Sequence, residues 1–244
     1  MRSHVICLWR HSFVGQGPLH HQILPDGCVD IVIVGESRPM VVGPDTKAAL
    51  VSFEGPTEVL GIRLMPGVAA SVLRESVCNI LDRTVPLAEF WQATADELHG
   101  RLLSLIEWGQ KLKLLESVVF DHLSAVDRRI GDAVAALARH PQRRIDELAS
   151  SYGVTSRHLL RLFETHVGYG PKTLARVFRF QRVLSSARGE LASLAELALA
   201  AGYADQSHMN REFRQLSSSL PSHLGHRSST VTMSDLFKTA FGSQ

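Results

Sequence analysis

The sequence predicts an α+β protein: a small antiparallel β domain with trailing helices, followed by an all-α domain of two helix-turn-helix subdomains joined by a long helix. Short β-rich runs, broken by turn residues, fill residues 1–66. Apolar residues at helical spacing then dominate residues 67–126. Finally, one short helical pattern occurs twice in the last hundred residues of the chain, which indicates a duplicated structural unit.

The β-rich part has five strand-like runs, VICLW, CVDIVIV, MVV, ALVSF and EVLGIRLM. The segments GQGP, PDG, GESRP, VGPD and EGP separate or flank these runs. Gly, Pro and Asp are residues that tight turns require, so each run between them predicts a short strand. Short strands joined by tight turns form a small antiparallel sheet or a partial barrel.

The helical part of the first domain includes the segment LAEFWQATADELHGRLLSLIEWG. Its apolar residues recur near helical spacing, which predicts amphipathic helices that pack on the sheet or pair between subunits. The residues that show this spacing are Leu87, Phe90, Trp91, Leu98, Leu102 and Leu105. Residues 1–126 are therefore expected to form one N-terminal domain.

The second domain is predicted at residues 127–225, with a poorly ordered Ser- and Thr-rich tail at 226–244. A first amphipathic helix precedes the repeats. Pro171 should begin a long connecting helix that runs to Ala187, because proline is favoured at the first helical position. Gly189 should close that helix, and Pro221 should start a final short turn or helix.

The two copies of the repeat are IDELASSYGVTSRHLLRLFE at 145–164 and LAELALAAGYADQSHMNREFR at 194–214. They align on Gly153 and Gly202, with one extra residue after the second glycine. Each copy has a short apolar helix, a glycine turn and a polar-faced helix ending in Phe, which is the pattern of a helix-turn-helix. Thr155 and Asp205 are positioned to cap the second helix of each copy.

The second helix of each copy should present a polar face to DNA. Helical spacing directs one set of side chains into the core, namely Leu159, Leu162 and Phe163 in the first copy and Met209, Phe213 and Leu216 in the second. It directs another set outward, namely Arg157, Leu160, Arg161 and Glu164 in the first and Gln206, Ser207, Asn210, Arg211 and Arg214 in the second. Arg pairs bidentately with guanine and Gln or Asn with adenine, so these faces suit base edges.

Composition and charge agree with a DNA-binding half joined to another domain. Residues 1–126 carry 10 Lys and Arg against 14 Asp and Glu, whereas residues 127–227 carry 15 against 9. The basic half predicts a polyanionic partner. No apolar run reaches the roughly 18 residues that span a bilayer, and the start of the chain lacks a signal-peptide pattern, so we expect a cytoplasmic protein without a membrane partner.

Residues 127–225 resemble the DNA-binding domain of the AraC/XylS family of bacterial transcription regulators. The resemblance rests on IDELASSYGVTSRHLLRLFETHVGYGPKTLARVFRFQRVL and LAELALAAGYADQSHMNREFRQLSSSLPSHL and covers about 40% of the chain. It implies two helix-turn-helix subdomains on a long helix, double-stranded promoter DNA and RNA polymerase as partners, and no enzymatic activity or cofactor. The segment HHQILPDGCVDIVIV and those after it resemble an N-terminal domain of some members, whose ligand is unassigned.

The resemblance also assigns roles by position. Base contacts are expected from Arg157, Leu160, Arg161, Gln206, Ser207, His208 and Arg211. Phosphate contacts are expected from Lys172, Asn210 and Arg214. The chain departs from the family at Leu160, where many members have a polar residue, and at Ser217–Ser219, where a Phe-Gly pair is usual. Leu160 is therefore expected to touch a thymine methyl or nothing, and the loop after the second helix to be looser.

The N-terminal domain is expected to act as a sensor or oligomerisation module, with a small-molecule effector and a homodimer as possible partners. Several residues there also suggest other chemistry. His4, His11, His20 and His21 with Asp26 and Cys28 are metal-ligand types, but they lack ligand-motif spacing. Cys28 is either a sensing thiol or a small buried side chain, and Cys28 or Cys7 would be the acceptor if the chain were a DNA-repair alkyl acceptor.

Two further sets have a structural and a functional interpretation. Asp26 and Asp30 form an acid–base pair, or Asp26 fixes the PDG turn and Asp30 caps or pairs with an arginine. Trp9, Phe13, Trp91 and Trp108 line an apolar pocket or belong to the core.

Overall fold

A computed structural model describes residues 4–15, 17–186 and 193–220 of the chain. The first part is a β domain in which every strand pair is antiparallel. Its strands are β1 (Val5–Phe13), β2 (Leu19–Ile23), β3 (Val29–Val34), β4 (Met40–Val42), β5 (Ala49–Phe53), β6 (Thr57–Leu64) and β7 (Thr84–Pro86). The predicted small antiparallel sheet is confirmed.

The strands form two sheets, a five-stranded one in the order β1-β6-β3-β4-β7 and a two-stranded one of β2 and β5. Strand β7 corrects the prediction, because it lies inside the segment 67–126 that was expected to be helical. It is three residues long and pairs with β4 through Val41 and Val85, two buried residues far apart in the sequence. A strand this short has no periodicity of its own, and only its tertiary pairing defines it.

The helical segment that follows the sheet is divided into short helices. They are α1 (Ala69–Leu73), a 3-10 turn (Val77–Ile80), α2 (Ala88–Trp91), α3 (Ala93–Ser104) and α4 (Trp108–His122). Gln92 separates α2 from α3 because its φ of 47° lies outside the helical region. The predicted LAEFWQATADELHGRLLSLIEWG segment is therefore not one helix, although its apolar residues Leu87, Trp91, Leu98 and Leu102 are buried against the sheet.

The second part of the chain is helical among the described residues. Its helices are α5 (Arg128–Arg139), α6 (Ile145–Ser151), α7 (Ser156–Val167), α8 (Pro171–Ser186), α9 (Leu194–Ala201) and α10 (Gln206–Ser217). Pro171 is the first residue of the long helix α8, as predicted. The expectations for Ala187, Gly189, Pro221 and the tail at 226–244 lie outside the described residues.

The six helices share a single apolar cluster that contains residues of both repeats. Phe163 of α7, Phe180 of α8 and Phe213 of α10 are fully buried in it, and the rings of Phe180 and Phe213 lie 4.7 Å apart. Helix α8 therefore carries both repeats on one core. No helix within the described ranges is long and apolar enough to cross a membrane.

The β domain contains a buried ion cluster. The Arg63 guanidinium donates to both carboxylate oxygens of Asp30, at 3.0 and 2.6 Å, and also contacts the Asp26 carboxylate. Asp26 accepts a hydrogen bond from the backbone N–H of Cys28 at 2.9 Å, and Asp30 accepts one from the indole of Trp9 at 3.1 Å. Asp26 thus fixes the predicted turn and Asp30 pairs with an arginine, so the structural interpretation of both residues is confirmed.

The β domain packs against both repeats. Gly168, at the end of α7, lies close to Pro44 and Val77, where a Cβ atom would come within 2.9 and 3.1 Å of their side chains. The Gln181 side chain of α8 donates to the carbonyl of Pro25. At the end of α10, Ser217 O accepts from the Gln22 side chain at 3.1 Å.

Replacement of Arg63 by Ala should lower the free energy of unfolding by about 3–5 kcal/mol, because it leaves two buried carboxylates without their cation. Chemical denaturation of the two proteins measures this difference. Arg10→Ala, which removes an exposed ion pair with Glu58 on the same sheet, is the matched control and should cost far less. Equal losses in the free energy of unfolding for the two variants would show that burial does not increase the contribution of the Arg63 ion pairs to stability.

Asp45 should make stability depend on pH. Burial, and next the charge of Asp82, raise the pKa of Asp45 from 3.8 to about 7. The folded protein therefore holds this proton more tightly than the unfolded chain, so stability declines as pH rises from about 4 to 7. Asp45→Asn removes the effect, so its stability advantage over the wild type should be larger at pH 8 than at pH 5. An advantage of the same size at both pH values would contradict the raised pKa.

Candidate nucleic-acid interface

Each repeat folds as two helices around a glycine turn, α6–α7 around Gly153 and α9–α10 around Gly202. Both glycines have positive φ, 65° and 91°, a conformation that L-residues with a side chain rarely adopt. The Thr155 hydroxyl accepts from His158 N at 3.1 Å, and the Asp205 carboxylate accepts from His208 N at 2.7 Å. Both predicted caps are confirmed, so the start of each second helix is defined by its own sequence.

Helix α7 has an apolar face and a basic face, as its spacing predicts. Leu159 and Phe163 are buried, whereas Arg157 and Arg161 are exposed. Leu160 lies between the two arginines with 40% of its surface exposed, one of the few large apolar side chains left in solvent. No ion pair is found for either arginine among the described residues.

Helix α10 presents a mixed polar face. Ser207, Arg211 and Arg214 are exposed, and Gln206 and Asn210 are half-buried. Met209, Phe213 and Leu216 form its buried side, as predicted. The polar face carries the donor and acceptor types that base edges and phosphates require.

His208 differs from the other predicted base contacts. Its Nε2 lies 3.3 Å from the Glu212 carboxylate, and its ring packs edge-on against Tyr203 at 5.3 Å. The imidazole therefore faces the protein on at least one side. Its assignment to a base edge stays a prediction, and the least supported of the seven.

Two arginines of α8 hold α10 in place, and the sequence analysis did not identify them. Arg179 donates to both carboxylate oxygens of Glu212 at 2.9 Å, and its guanidinium lies 5.3 Å from the ring centre of Tyr203. Arg176 Nε lies 3.4 Å from the same carboxylate, and its Nη2 donates to Gln215 at 2.7 Å. Their spacing of three residues on one helix face was the available signal, but it does not identify the partner helix.

Helix α8 sets the distance between the repeats. Its 16 residues extend over about 24 Å, given the rise of 1.5 Å per residue. Lys172 is exposed in its first turn. The fixed length and the shared core make α7 and α10 two parts of one rigid unit.

Cys28 and Cys7 do not have the environment of reactive thiols. Cys28 is 4% exposed, and burial raises its thiol pKa well above the ordinary value. Burial also raises the thiol pKa of Cys7, to about 11. Thiolates are the reactive form, so the interpretation of Cys28 as a small buried side chain is the better supported one.

The histidines and aromatic residues of that domain make contacts with one another and with neighbouring side chains. His20 Nδ1 lies 2.8 Å from the Ser52 hydroxyl, and the rings of His11 and His21 lie 5.8 Å apart. Within the described ranges, no three His, Cys, Asp or Glu side chains are grouped as metal ligands would be.

The four aromatic residues that were expected either to line an apolar pocket or to belong to the core lie in different places. Trp91 is buried in the core and stacks on His122 at 4.0 Å. Phe13 contacts Phe53, and Trp108 is flanked by two cationic side chains. Trp9 is held by its hydrogen bond to Asp30.

Comparison with protein families matches two separate segments of the chain. Residues 148–227 match the family model of a helix-turn-helix domain. Residues 1–86 match a domain of unknown function, DUF6597. Among curated proteins, no match to the chain is found.

Several solved structures align with this chain. ToxT from Vibrio cholerae O395 aligns over 91% of this chain and 99% of its own, with a TM-score of 0.50 and 11% identity. A probable AraC family transcriptional regulator from Rhodopseudomonas palustris aligns over 40% of this chain and 94% of its own, with 22% identity and a TM-score of 0.35. ToxT bound to an unsaturated fatty acid aligns over 93% and 97%, with 11% identity and a TM-score of 0.45. The predicted α+β architecture, a β-rich domain followed by a helical one, is confirmed.

Replacement of Glu212 by Ala should loosen α10 from α8. The carboxylate accepts two hydrogen bonds from Arg179, and loss of a hydrogen bond to a charged group costs roughly 1.5–3 kcal/mol. Thermal and denaturant unfolding measure the loss. Glu164→Ala, on the exposed face of α7, is the control and should change stability little; an equally small effect at Glu212 would mean that its network does not hold the helix.

Proposed function

We propose that this chain is a DNA-binding transcription regulator of the AraC type, and that its recognition helices α7 and α10 enter adjacent major grooves of one duplex. The observation that carries the proposal is the pair of capped helices, each with exposed arginines, fixed on the single helix α8. We retain residues 127–225 as the DNA-binding domain. No step of this function requires catalysis or a cofactor.

Base reading is assigned to the exposed faces of the two helices. Arg157 and Arg161 of α7 and Arg211 of α10 are suited to guanine, and Gln206 to adenine, because these side chains form bidentate pairs with those bases. Leu160 is suited to a thymine methyl, since it is apolar and partly exposed between two arginines. Ser207 and His208 complete the second face.

Phosphate contacts are assigned to Lys172, Asn210 and Arg214. Arg214 and Lys172 are exposed, and Lys172 stands at the start of α8, outside both recognition faces. Such contacts orient a protein on the duplex without reading its sequence. They should therefore contribute affinity that falls with added salt.

The N-terminal domain is proposed to modulate DNA binding through a small-molecule signal. Its contacts with Gly168, Gln181 and Ser217 support this, because they involve α7, α8 and α10 together. The side-chain oxygens of Tyr169 and Gln181 are buried and have no hydrogen-bond partner among the described residues. Each buried polar group without a hydrogen bond destabilises the folded protein by about 1–3 kcal/mol. The contacts between the N-terminal domain and the helices can therefore break with a small loss of free energy when a signal favours another arrangement.

The partners and the cellular location are proposed from the resemblance to the AraC family. RNA polymerase is the proposed partner at the promoter, and a homodimer would pair two such regulators on one control region. The cytoplasm is the proposed location, since that is where bacterial promoters are.

Arg157→Ala and Arg211→Ala should each weaken binding to a cognate duplex by about 1–3 kcal/mol. Each should also relax base preference in a different half of the site, because the two arginines belong to different recognition helices. Selection of duplexes from a random pool, followed by titration, measures both effects. Arg101→Ala, on exposed α3, is the control; equal and sequence-independent losses from Arg157→Ala and Arg211→Ala would contradict the assignment.

DNA binding should change amide hydrogen exchange in the N-terminal domain. The amide of Ala48 donates to Leu216 O at 2.7 Å, at the end of the recognition helix α10. Hydrogen exchange of this amide should therefore change when a cognate duplex binds, while the amides of α4 should stay as they are. Unchanged exchange at Ala48 would mean that the N-terminal domain does not respond to DNA.

A further inference from the structure

A groove of about 960 Å³ lies between the two repeats, and Leu160 is the one residue assigned to a base that lines it. Its floor is the first half of α8, one wall is the turn before α6 with the start of α7, and α10 forms the edge. The residues that determine its chemistry are Arg143, Arg144, Lys172, Thr173, Arg176 and Glu212.

Most charges in the groove are already paired. Arg144 lies 2.7 Å from Asp146, and Arg176 and Arg179 share the carboxylate of Glu212. Arg143 and Lys172 have no ion-pair partner within the described ranges. The groove is therefore lined by five cations against two carboxylates, a net charge of +3, and its two acidic residues are both paired with arginines.

The groove's position relates it to DNA. Ser156 and Leu160 of α7 line one side and Glu212 of α10 the other, so the groove lies between the two recognition helices. Successive major-groove faces lie about 34 Å apart along a duplex, and a minor groove with its two backbones lies between them. We expect a duplex read by both helices to pass that backbone over this groove.

We propose that the groove binds the phosphodiester backbone next to the minor groove between the two major-groove contacts, with Arg143 and Lys172 as the cations that neutralise it. The inference rests on the proposed function and adds to it a third contact region and a residue, Arg143, for which no DNA contact was predicted from the sequence. The Arg143 fork suits two phosphate oxygens, and Lys172 provides a point charge.

The test uses a duplex that the full-length wild-type protein selects from a random pool. The same duplex is then made with neutral methylphosphonate linkages at the phosphates midway between the two base-reading regions. Arg143→Ala and Lys172→Ala should each weaken binding about tenfold. The double variant should lower the salt slope of binding by nearly two units, since each neutralised phosphate contributes about 0.9. Lys113→Ala, an exposed lysine of α4, is the matched control and should change neither.

Two results test the proposed binding of the DNA backbone in the groove independently of any effect on folding. The neutral linkages should weaken binding by the wild type and have little further effect on the double variant, whose thermal unfolding should match that of the wild type. An equal penalty from the neutral linkages in both proteins overturns the inference while leaving base reading intact. Failure to enrich any sequence refutes base reading and the groove together.

A free anion is the other source of the same chemistry. Calorimetric titration of the protein with inorganic phosphate at constant ionic strength should give no heat that depends on Arg143 and Lys172. Binding of inorganic phosphate that the double variant loses would assign the groove to a free anion and overturn the DNA assignment.

Discussion

The packing of both repeats on helix α8 is the constraint on which the rest of the structure depends. Leu174, Val177, Phe178 and Phe180 are buried along it, so the helix is a core element and not an exposed linker. A helix buried in this way cannot bend or turn without opening the core. The angle and the distance between α7 and α10 are therefore properties of the fold.

Polar contacts add orientation to this apolar packing. The Glu212 carboxylate holds α10 through Arg179 and Arg176, and Arg182 donates to the carbonyls of Ala138 and Arg139 at the end of α5. One helix thus supplies arginines to the elements on either side of it. Because these arginines serve the protein, cations that remain unpaired, such as Arg143 and Lys172, are the ones left for a polyanion.

The local features of the fold could be predicted from the sequence, because each is determined by residues close in the chain. The caps Thr155 and Asp205, the glycine turns, and the start of α8 at Pro171 are of this kind. Pairings across long sequence separations could not be predicted. An arginine partner was one of two expectations for Asp30, but nothing identified Arg63, 33 residues away, as that partner.

Contacts between residues far apart in the sequence also explain which features of the candidate site could not be predicted. Spacing separates the exposed from the buried face of α7 and α10, but it does not show that His208 turns toward Glu212 and Tyr203. Nor does it show that Arg143, which precedes the first repeat in the sequence, lines the groove between the repeats. Strand β7 likewise depends on pairing between residues far apart in the sequence.

The central claim is that two rigidly joined helices read one face of one duplex, and changing the spacing within the binding site tests it most directly. Insertion of five base pairs between the two halves of a selected site turns the second half to the opposite side of the duplex, given about 10 base pairs per turn. The account predicts that affinity then falls to that of a single half-site. Retention of full affinity with the half-turn insertion would contradict a rigid pair of reading helices.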